Sequence, residues 1–354
     1  MWPFNKKQFL GIDIGTASIK LVQLSKKGNG FKLDTYGEFK VDNYLEYVKK
    51  ENGVSYLKLI DEDIVRIIKF LLKESKAKSR IATMSLPTLS TLTTTINLPA
   101  MPSNELETAI NFEAQKYIPI PIEEVILDPQ FINTDEKTGN LEIFVAAFPK
   151  ELIDNYSRIS KLAGLKLKAF ELETYSLIRA LIYPAKDAMV LLDIGATSSN
   201  ISIIDNGFIQ ITHNLDISGA MITEMITNSL GLEKKRAEEL KIKEGIIGKE
   251  GEKEISKILD PLINFVISEV ERVIDIYSKK SGHVIIKIIL LGGSANIKGL
   301  AERFSDNLKI ETIVADPFSK TYYVDSLDSI LKEIGPSFSV AVGLAMKELI
   351  TVKN

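Results

Sequence analysis

Residues 9–24 read Phe9-Leu-Gly-Ile-Asp-Ile-Gly-Thr-Ala-Ser-Ile-Lys-Leu-Val-Gln-Leu24, and the predicted fold starts from this stretch. Two apolar runs with strand character flank a Gly-Thr-Ala-Ser turn. Gly15 lets the backbone approach a ligand closely. The N–H groups of the turn and the hydroxyls of Thr16 and Ser18 suit a phosphate. The stretch therefore predicts a β-hairpin whose turn binds phosphate.

Two charged residues of this hairpin fit the same chemistry. Asp13 stands at the end of the first strand, where packing gives no reason for a carboxylate. Mg²⁺ takes oxygen ligands and keeps several waters, so a carboxylate beside a phosphate suits it. Lys20 supplies a positive charge for the same phosphates. Asp and Gly also favour ordinary turns, so this stretch alone leaves a purely structural hairpin open.

The motif occurs twice. Residues 188–204 repeat the order of strand, Asp-Ile-Gly, small hydroxylic turn and returning strand. The matched pairs are Asp13 with Asp193, Gly15 with Gly195, and Ser18 with Ser198. The repeat predicts two related domains that face each other across a cleft. Phosphates would lie between the two turns, and Mg²⁺ between the two aspartates.

Composition agrees with a soluble protein of two domains. The chain has 354 residues, of which 45% are hydrophobic and 26% charged. Its net charge of −3 is dispersed, which gives no electrostatic case for binding nucleic acid. The absence of cysteine excludes disulfides, cysteine-based zinc sites and cysteine nucleophiles. His213 and His283 stand alone in apolar stretches and are predicted to be structural.

The sequence predicts a cytoplasmic protein. No apolar run approaches the roughly 18 residues that a bilayer span requires. Asp13 follows the start, Met1 to Lys7, too soon for the apolar core of a signal peptide.

Periodicity predicts alternating strands and helices along the rest of the chain. Strands are expected over 31–41, 81–86, 88–98, 125–133, 141–148, 167–173 and 284–291. Helices are expected from about 104 to 117 and over 61–73, 150–163, 174–183, 219–230, 232–243, 260–280 and 337–350. Asn104 and Glu107 have capping-box spacing, and Asp260-Pro261 is typical of an N-cap followed by the first helical residue. Core positions are predicted at Leu106, Ile110, Phe112 and Tyr117 in one helix and at Leu262, Phe265, Val266, Val273 and Tyr277 in another.

Residues 88–164 have the order strand, helix, strand, strand, helix, which predicts a subdomain inserted into the first domain. An exposed apolar groove on it would suit a partner peptide. The remaining boundaries are predicted at 1–87 and 165–184 for the first domain and 185–335 for the second. Residues 231–283 form the second domain's helical part, and 336–354 a helix returning to the first domain.

Three further segments carry polar groups that suit a nucleotide. Gly292, Gly293 and Ser294 follow a buried strand, and the two glycines let a flat ring or a sugar lie against the backbone. The helix that follows Ser218-Gly219 could direct its N-terminal amides at phosphates. The helix over 232–243 contains Lys234, Glu238 and Lys241, which spacing alone also explains as a solvated face.

The order and spacing of these motifs resemble the actin-like ATPase superfamily. Gly11 to Lys20 is similar to its first phosphate motif, 192–198 to the second, and 291–295 to its adenosine motif. Residues 171–180 and 338–346 fall where the two connecting helices are expected. The resemblance implies an α/β fold of duplicated actin-like (ribonuclease H-like) domains around a nucleotide cleft.

The inserted subdomain resembles that of the FtsA and PilM families. Asn97 to Pro102, Tyr117 to Pro121 and the short start favour the PilM branch. An FtsA is expected to carry a linker and an amphipathic membrane helix at its end, and Leu349 to Asn354 is too short for one.

The PilM resemblance implies a cytoplasmic ATP-binding scaffold of the type IV pilus assembly platform, peripheral to the inner membrane through its partner. It would dock the N-terminal cytoplasmic tail of a PilN-like membrane protein and bind a short hydrophobic and basic peptide. Other platform proteins or a pilus motor ATPase are further candidate partners, and self-association stays open. ATP or ADP with Mg²⁺ are the implied cofactors.

The resemblance also implies roles for individual residues. Asp13 and Asp193 match the Mg²⁺ aspartates, and Glu173 lies where an acidic residue orients the hydrolytic water. The implied nucleotide contacts are Gly15, Thr16, Ala17, Ser18, Lys20, Gly195, Ala196, Thr197, Ser198, Gly219, Lys234, Glu238, Lys241, Gly292, Gly293 and Ser294. Ser218-Gly219 replaces the usual Gly-Gly, which leaves phosphate contact there open and agrees with slow ATP turnover or none.

Two other functions remain open on the sequence. A filament-forming cytoskeletal ATPase would share every nucleotide motif. A small-molecule kinase would need an acceptor-site aspartate as base, and the sequence shows none in a recognisable context.

Overall fold

The computed structural model describes residues 7–41, 48–51, 54–57, 61–134, 138–246 and 253–350. The predicted start and end of the chain, 1–6 and 351–354, lie outside these residues, as does most of the predicted turn over 135–139.

The strands of the described residues are, in chain order, β1 (Gln8–Ile14), β2 (Ser18–Lys27), β3 (Gly30–Lys40), β4 (Val48–Glu51), β5 (Val54–Leu57), β6 (Ile81–Leu86), β7 (Leu92–Leu98), β8 (Val125–Thr134), β9 (Leu141–Pro149), β10 (Lys166–Leu172), β11 (Met189–Ile194), β12 (Ser199–Asp205), β13 (Phe208–Leu215), β14 (Lys287–Leu291), β15 (Glu311–Val314) and β16 (Thr321–Tyr322). Their helices are α1 (Asp61–Glu74), α2 (Ser103–Ala114), α3 (Lys150–Leu162), α4 (Glu173–Leu177), α5 (Gly219–Leu230), α6 (Lys234–Lys243), α7 (Lys253–Ser281), α8 (Leu300–Leu308) and α9 (Asp328–Met346).

Two sheets repeat one topology. The first has the order β10-β6-β1-β2-β3-β16, and the second, taken in the same direction, β15-β14-β11-β12-β13. In each, a hairpin (β1–β2 or β11–β12) lies beside a parallel strand (β6 or β14). We call the first sheet with α1, α4 and α9 the first half, and the second sheet with α5 to α8 the second half. The duplication that the two Asp-x-Gly motifs predicted is present.

The hairpin strand β1 is buried on both faces, which explains its nearly continuous apolar sequence. Leu10 and Ile12 share a core with Ile68 of α1, whereas Phe9 shares one with Phe338 of α9. Helix α1 directs its apolar stripe at the sheet and carries acidic residues in its first turn, as the helix dipole favours.

The inserted segment forms the antiparallel sheet β7-β9-β8 with α2 and α3. Ile110 and Ala114 of α2 pack on Val145 of one sheet face. Phe144 and Phe148 of the other face join the core of the first half. The predicted order of strand, helix, strand, strand and helix is confirmed, whereas the domain boundaries stay a prediction.

Helices α4 and α9 cross in close contact. Helix α4 continues as one turn of π-helix over Ile178–Ile182, and it crosses α9 where Gly343 meets Ser176. A Cβ on Gly343 would overlap the Ser176 carbonyl, and one on Gly11 would overlap the Ala341 carbonyl. Backbone therefore touches backbone at both points.

Helix α7 begins earlier than predicted. It starts at Lys253, so Asp260 and Pro261 lie inside it rather than at its start. A proline inside a helix removes one backbone hydrogen bond. Burial of Ile255 and Leu259 in the preceding turns offsets that loss.

The last helix differs in the same way. The expected start was Ser337, whereas α9 starts at Asp328 and includes Pro336. Its first turns are held because Leu331 is fully buried.

Three aromatic residues predicted to lie in the core are exposed. Phe112 is 70% exposed, Tyr117 56% and Phe265 49%. In α2 the buried stripe falls on Ile110 and Ala114, which places Phe112 on the outer face.

Several boundaries also shift. Helix α2 starts at Ser103 after Pro102 without a side-chain cap, so the Asn104–Glu107 capping box is wrong. Residues Thr88–Ser90 form a 3-10 turn before β7, and β14 starts only at Lys287. No helix within the described ranges is both long and apolar enough to cross a bilayer.

The two histidines do not stand alone. His213 Nε2 lies 3.2 Å from Glu269 Oε2, and His283 Nδ1 lies 2.6 Å from Asp205 Oδ2. Asp205 Oδ2 also accepts a hydrogen bond from Tyr277 at 2.7 Å. Both contacts suit the predicted structural role.

Candidate functional site

The two hairpin turns meet between the two halves. The Gly15 N–H donates to the Ser18 carbonyl at 3.0 Å, and the Gly195 N–H donates to the Ser198 carbonyl at 2.9 Å, so both turns close in the same way. The hydroxyl oxygens of Thr16 and Thr197 are hydrogen-bonded to each other at 3.0 Å. The structure thus brings together the two turns that the sequence predicted to act as a pair.

Asp13 lies at the end of β1 beneath the first turn. Its side chain is buried, and the Ser85 hydroxyl donates to its Oδ1 at 2.9 Å. Burial raises the pKa of Asp13, whereas the positive charge of Lys20 lowers it. The Lys20 Nζ donates to Ser18 Oγ at 2.7 Å and lies 3.7 Å from Glu38.

Asp193 lies at the matching position of β11. Burial, and then the negative charge of Asp13, raise the pKa of Asp193 to about 6. Gly292, at φ +85°, packs so closely on Asp193 that a Cβ would overlap the carboxylate. A carboxylate whose pKa is raised by a neighbouring carboxylate favours a cation close to both.

The carboxylates of this site suit a Mg²⁺ ion that arrives together with a nucleotide. No cluster of three or more His, Asp or Glu side chains suited to a metal occurs in the described part of the chain. Asp13 and Asp193 would supply two oxygen ligands, and Mg²⁺ characteristically completes its shell with phosphate oxygens and water. The donor set therefore fits magnesium brought in with a phosphate.

Glu173 is held at the start of α4. The backbone N–H and the hydroxyl of Thr88 both donate to Glu173 Oε2, at 3.0 and 2.7 Å. Burial, and then the charge of Asp13, raise the pKa of Glu173 to about 8. The carboxyl is therefore mostly protonated at neutral pH.

The raised pKa of Glu173 predicts a pH-dependent loss of stability. The folded protein holds this proton up to about pH 8, whereas the unfolded chain releases it near 4.5. Stability in the absence of nucleotide therefore falls as pH rises through this window, by a few kcal/mol at most. The Glu173→Gln variant lacks this ionisation, so its free energy of unfolding should exceed that of wild type at pH 9 and match it more closely at pH 5. Urea unfolding at both pH values measures the difference, and a constant difference would contradict the prediction.

The start of α5 is closed against the second turn. The Gly219 N–H donates to the Gly195 carbonyl at 2.8 Å, and the Ala220 N–H donates to the Ala196 carbonyl at 3.0 Å. Ser218 caps the helix with its side chain. The turn uses these two amides in this structure, and contact between this helix and phosphates stays a prediction.

Lys241 is a buried anchor rather than part of a solvated face. Its Nζ donates to the Gly219 carbonyl at 3.1 Å, to Thr223 Oγ1 at 3.0 Å and to Glu238 Oε2 at 2.7 Å. Burial lowers the pKa of Lys241, and Glu238 raises it. A Cβ on Gly219 would lie 2.6 Å from Ser294 Oγ, so the two segments are in contact.

The remaining predicted nucleotide contacts differ in their surroundings. Gly293 has open space at its Cβ position, and Ser294 is buried. Lys234 is exposed at the first residue of α6. The Ala17 carbonyl accepts the Val41 N–H at 2.9 Å, which ties the first turn to the end of β3.

Sequence reasoning missed three hydroxyl residues of this site. Ser85, Thr88 and Thr223 hold Asp13, Glu173 and Lys241. Ser85 was detectable as a polar residue at the buried end of an apolar strand. Thr88 and Thr223 carry no local signal, because their partners lie far away in sequence.

A second candidate site is a cavity of about 470 Å³ at the junction of three parts of the molecule. The inserted sheet contributes Asp128 and Gln130, α4 contributes Tyr175, and Gly207 comes from the β12–β13 turn. Lys347, which follows α9, also lines the cavity.

The cavity is lined by both paired and unpaired polar groups. Glu171 accepts from Ser176 at 3.1 Å and from Arg179 at 2.7 Å, and it pairs with Lys347 at 2.7 Å. Gln130 Oε1 and Tyr175 OH are buried and have no hydrogen-bond partner within the described residues. Buried polar atoms are nearly always paired with protein or water, so these two atoms are available to water or to the polar groups of a ligand in the cavity.

Comparisons with known proteins agree with these observations. Residues 11–349 match the family described as "Type IV pilus assembly protein PilM". The chain resembles the solved "PilM-PilN type IV pilus biogenesis complex" with a TM-score of 0.80 and 26% identity, covering 97% of this chain and 98% of that one. It is 22% identical to the cell division protein FtsA of Streptococcus pneumoniae over 341 residues, covering 83% of this chain and 72% of FtsA. MreB5 of Spiroplasma citri, solved bound to ADP, shares the fold with a TM-score of 0.51 and 14% identity, covering 98% of each chain. The predicted actin-like fold is confirmed.

Proposed function

Because the chain belongs to the family of type IV pilus assembly proteins PilM, we propose that it is an ATP-binding scaffold of the pilus platform that docks the N-terminal cytoplasmic tail of a PilN-like membrane protein. This docking would hold it at the inner membrane. The cavity with its unpaired Gln130 and Tyr175 atoms is the observation that carries the docking proposal.

The meeting of the two turns at Thr16 and Thr197 supports nucleotide binding between the halves. In this proposal Asp13 and Asp193 hold Mg²⁺, and the turns with Lys20 contact the phosphates. Lys241 acts by fixing Glu238 beside the nucleoside. Gly293 leaves room for its rings, because open space surrounds its Cβ position.

Magnesium would neutralise phosphate charge in this cleft. In the nucleotide-free protein, burial and the charge of Asp13 raise the pKa of Glu173 to about 8, so this carboxyl is a poor proton acceptor at neutral pH. This supports slow hydrolysis or none, which suits a scaffold.

The docking proposal is tested with a synthetic peptide of the cytoplasmic tail of the PilN-like protein encoded with this chain. We expect saturable binding by calorimetry or fluorescence anisotropy, and a scrambled peptide should not bind. Nucleotide binding that is intact without any peptide binding would reject the docking half alone.

Tyr175→Phe identifies the cavity as the docking site. The Tyr175 hydroxyl has no hydrogen-bond partner among the residues that the structure describes, so its removal should leave the free energy of unfolding unchanged or slightly higher. A tail that bonds to this hydroxyl should bind roughly fivefold more weakly, since such a bond contributes about 1 kcal/mol. Tyr322→Phe removes an exposed hydroxyl elsewhere and serves as the matched control. Equal affinities for the two variants would place the tail outside the cavity.

A further inference from the structure

The inserted subdomain touches both halves of the protein. One face of its sheet carries Phe144 and Ala146, which belong to the same buried apolar cluster as Ile204 and Ile209 of the second half. The same cluster contains Ile12 of the first half. Apolar contact is therefore continuous from one half to the other through this sheet.

Two polar contacts join the subdomain to the second half. The hydroxyls of Thr93 in β7 and Thr212 in β13 are hydrogen-bonded at 2.7 Å. Lys280, near the end of α7, forms an ion pair with Glu142 of β9. The Glu142 side chain is only 12% exposed, whereas that of Lys280 is 60% exposed. A carboxylate this buried depends on its cation.

The subdomain is attached separately to the first half. Asp61 of α1 accepts a hydrogen bond from Asn155 of α3 at 3.1 Å and pairs with Arg158 of the same helix. Thr88, where the chain enters the subdomain, is bound to Glu173. The subdomain is therefore expected to move with the first half when the halves rotate.

We propose that the inserted subdomain is a brace, and that Glu142–Lys280 and Thr93–Thr212 hold the second half in the position where the two turns meet. A hydroxyl–hydroxyl hydrogen bond such as Thr93–Thr212 weakens beyond about 3.0 Å. Rotation that separates the turns must break or shear both contacts. The Glu142 carboxylate would then lose its cation while most of its surface stays buried, which opposes the opening.

The test uses charge reversal and its rescue. Glu142→Lys and Lys280→Glu each place like charges together, whereas the double variant restores an opposite pair. The chain has no cysteine, so two introduced cysteines are the only attachment points for spin labels. We place them at Lys69→Cys in α1 and Lys257→Cys in α7, which are exposed positions in different halves. Pulsed electron resonance then measures the distance distribution between the halves.

Each single reversal should raise the fraction of molecules with long label-to-label distances roughly tenfold. This change lies between the effects of disrupting an exposed and a buried ion pair. The double variant should bring the distance distribution most of the way back to that of wild type. Lys279→Glu is the matched control, because Lys279 pairs within its own helix with Asp275. It should not change the distribution.

A second readout rests on the proposed nucleotide binding. The release rate of a fluorescent ADP analogue should rise in the single variants and recover in the double variant. Unchanged distances in all variants would overturn the brace even where ADP binds normally. Altered distances in a protein that binds no ADP would keep the brace and reject the nucleotide site.

Discussion

Mg–ATP is expected to bind Asp13→Asn at least ~100-fold more weakly than wild type, because one charged oxygen ligand of the metal is lost. The effect should depend on magnesium. With EDTA present the difference should shrink or reverse, because Asp13 then faces the phosphates as a bare negative charge. Titration with a fluorescent ATP analogue, with and without Mg²⁺, measures both values.

The same variant separates binding from folding. Burial raises the pKa of Asp13, so the ionised carboxylate destabilises the nucleotide-free protein at neutral pH. Asparagine removes that charge, and the free energy of unfolding should stay the same or rise. Asp306→Asn, at an exposed position of α8, is the control for charge alone. Unchanged Mg–ATP affinity in Asp13→Asn would refute the nucleotide site.

Gly343→Ala is expected to lower the free energy of unfolding by at least ~2 kcal/mol. Alanine favours a helix over glycine by about 1 kcal/mol, so helix propensity alone predicts stabilisation. The added Cβ, however, would overlap the Ser176 carbonyl, and backbone yields less readily than a side chain. The overlap should outweigh the propensity, as denaturant unfolding will show.

Gly293→Ala is the matched control, because open space surrounds its Cβ position. Its stability should stay close to that of wild type. Its nucleotide affinity should fall, since the methyl group enters the space proposed for the nucleoside. A Gly343→Ala protein as stable as wild type would show that α4 and α9 can separate locally without cost.

The parts of the fold that sequence predicted well are those with a local pattern. Asp13-Ile-Gly15 and Asp193-Ile-Gly195 each combine a buried strand, a carboxylate and a tight turn within a few residues. Their repetition predicted the duplicated sheets and the meeting of the two turns. Both follow from short-range chemistry.

The parts that sequence missed depend on distant contacts. Pro261 signalled a helix start, and only the burial of Ile255 and Leu259 shows that α7 begins earlier. Thr88 and Glu173 are separated by 85 residues, so no local pattern announces their hydrogen bonds. The cavity combines Gln130, Tyr175 and Gly207 from three parts of the chain, which no spacing rule brings together.

Helix α9 has a mechanical consequence. Near its middle, the Pro336 carbonyl accepts the Gly292 N–H at 3.1 Å, and just past its end Lys347 reaches Glu171 in the cavity. These points lie about 16 Å apart along one continuous rod, at 1.5 Å per residue. A stiff helix tilts as a whole, so a movement at one of these points also moves the other. Any repositioning of the loop at Gly292 is thus geometrically tied to the shape of the cavity that Lys347 lines, without an intervening relay of side chains.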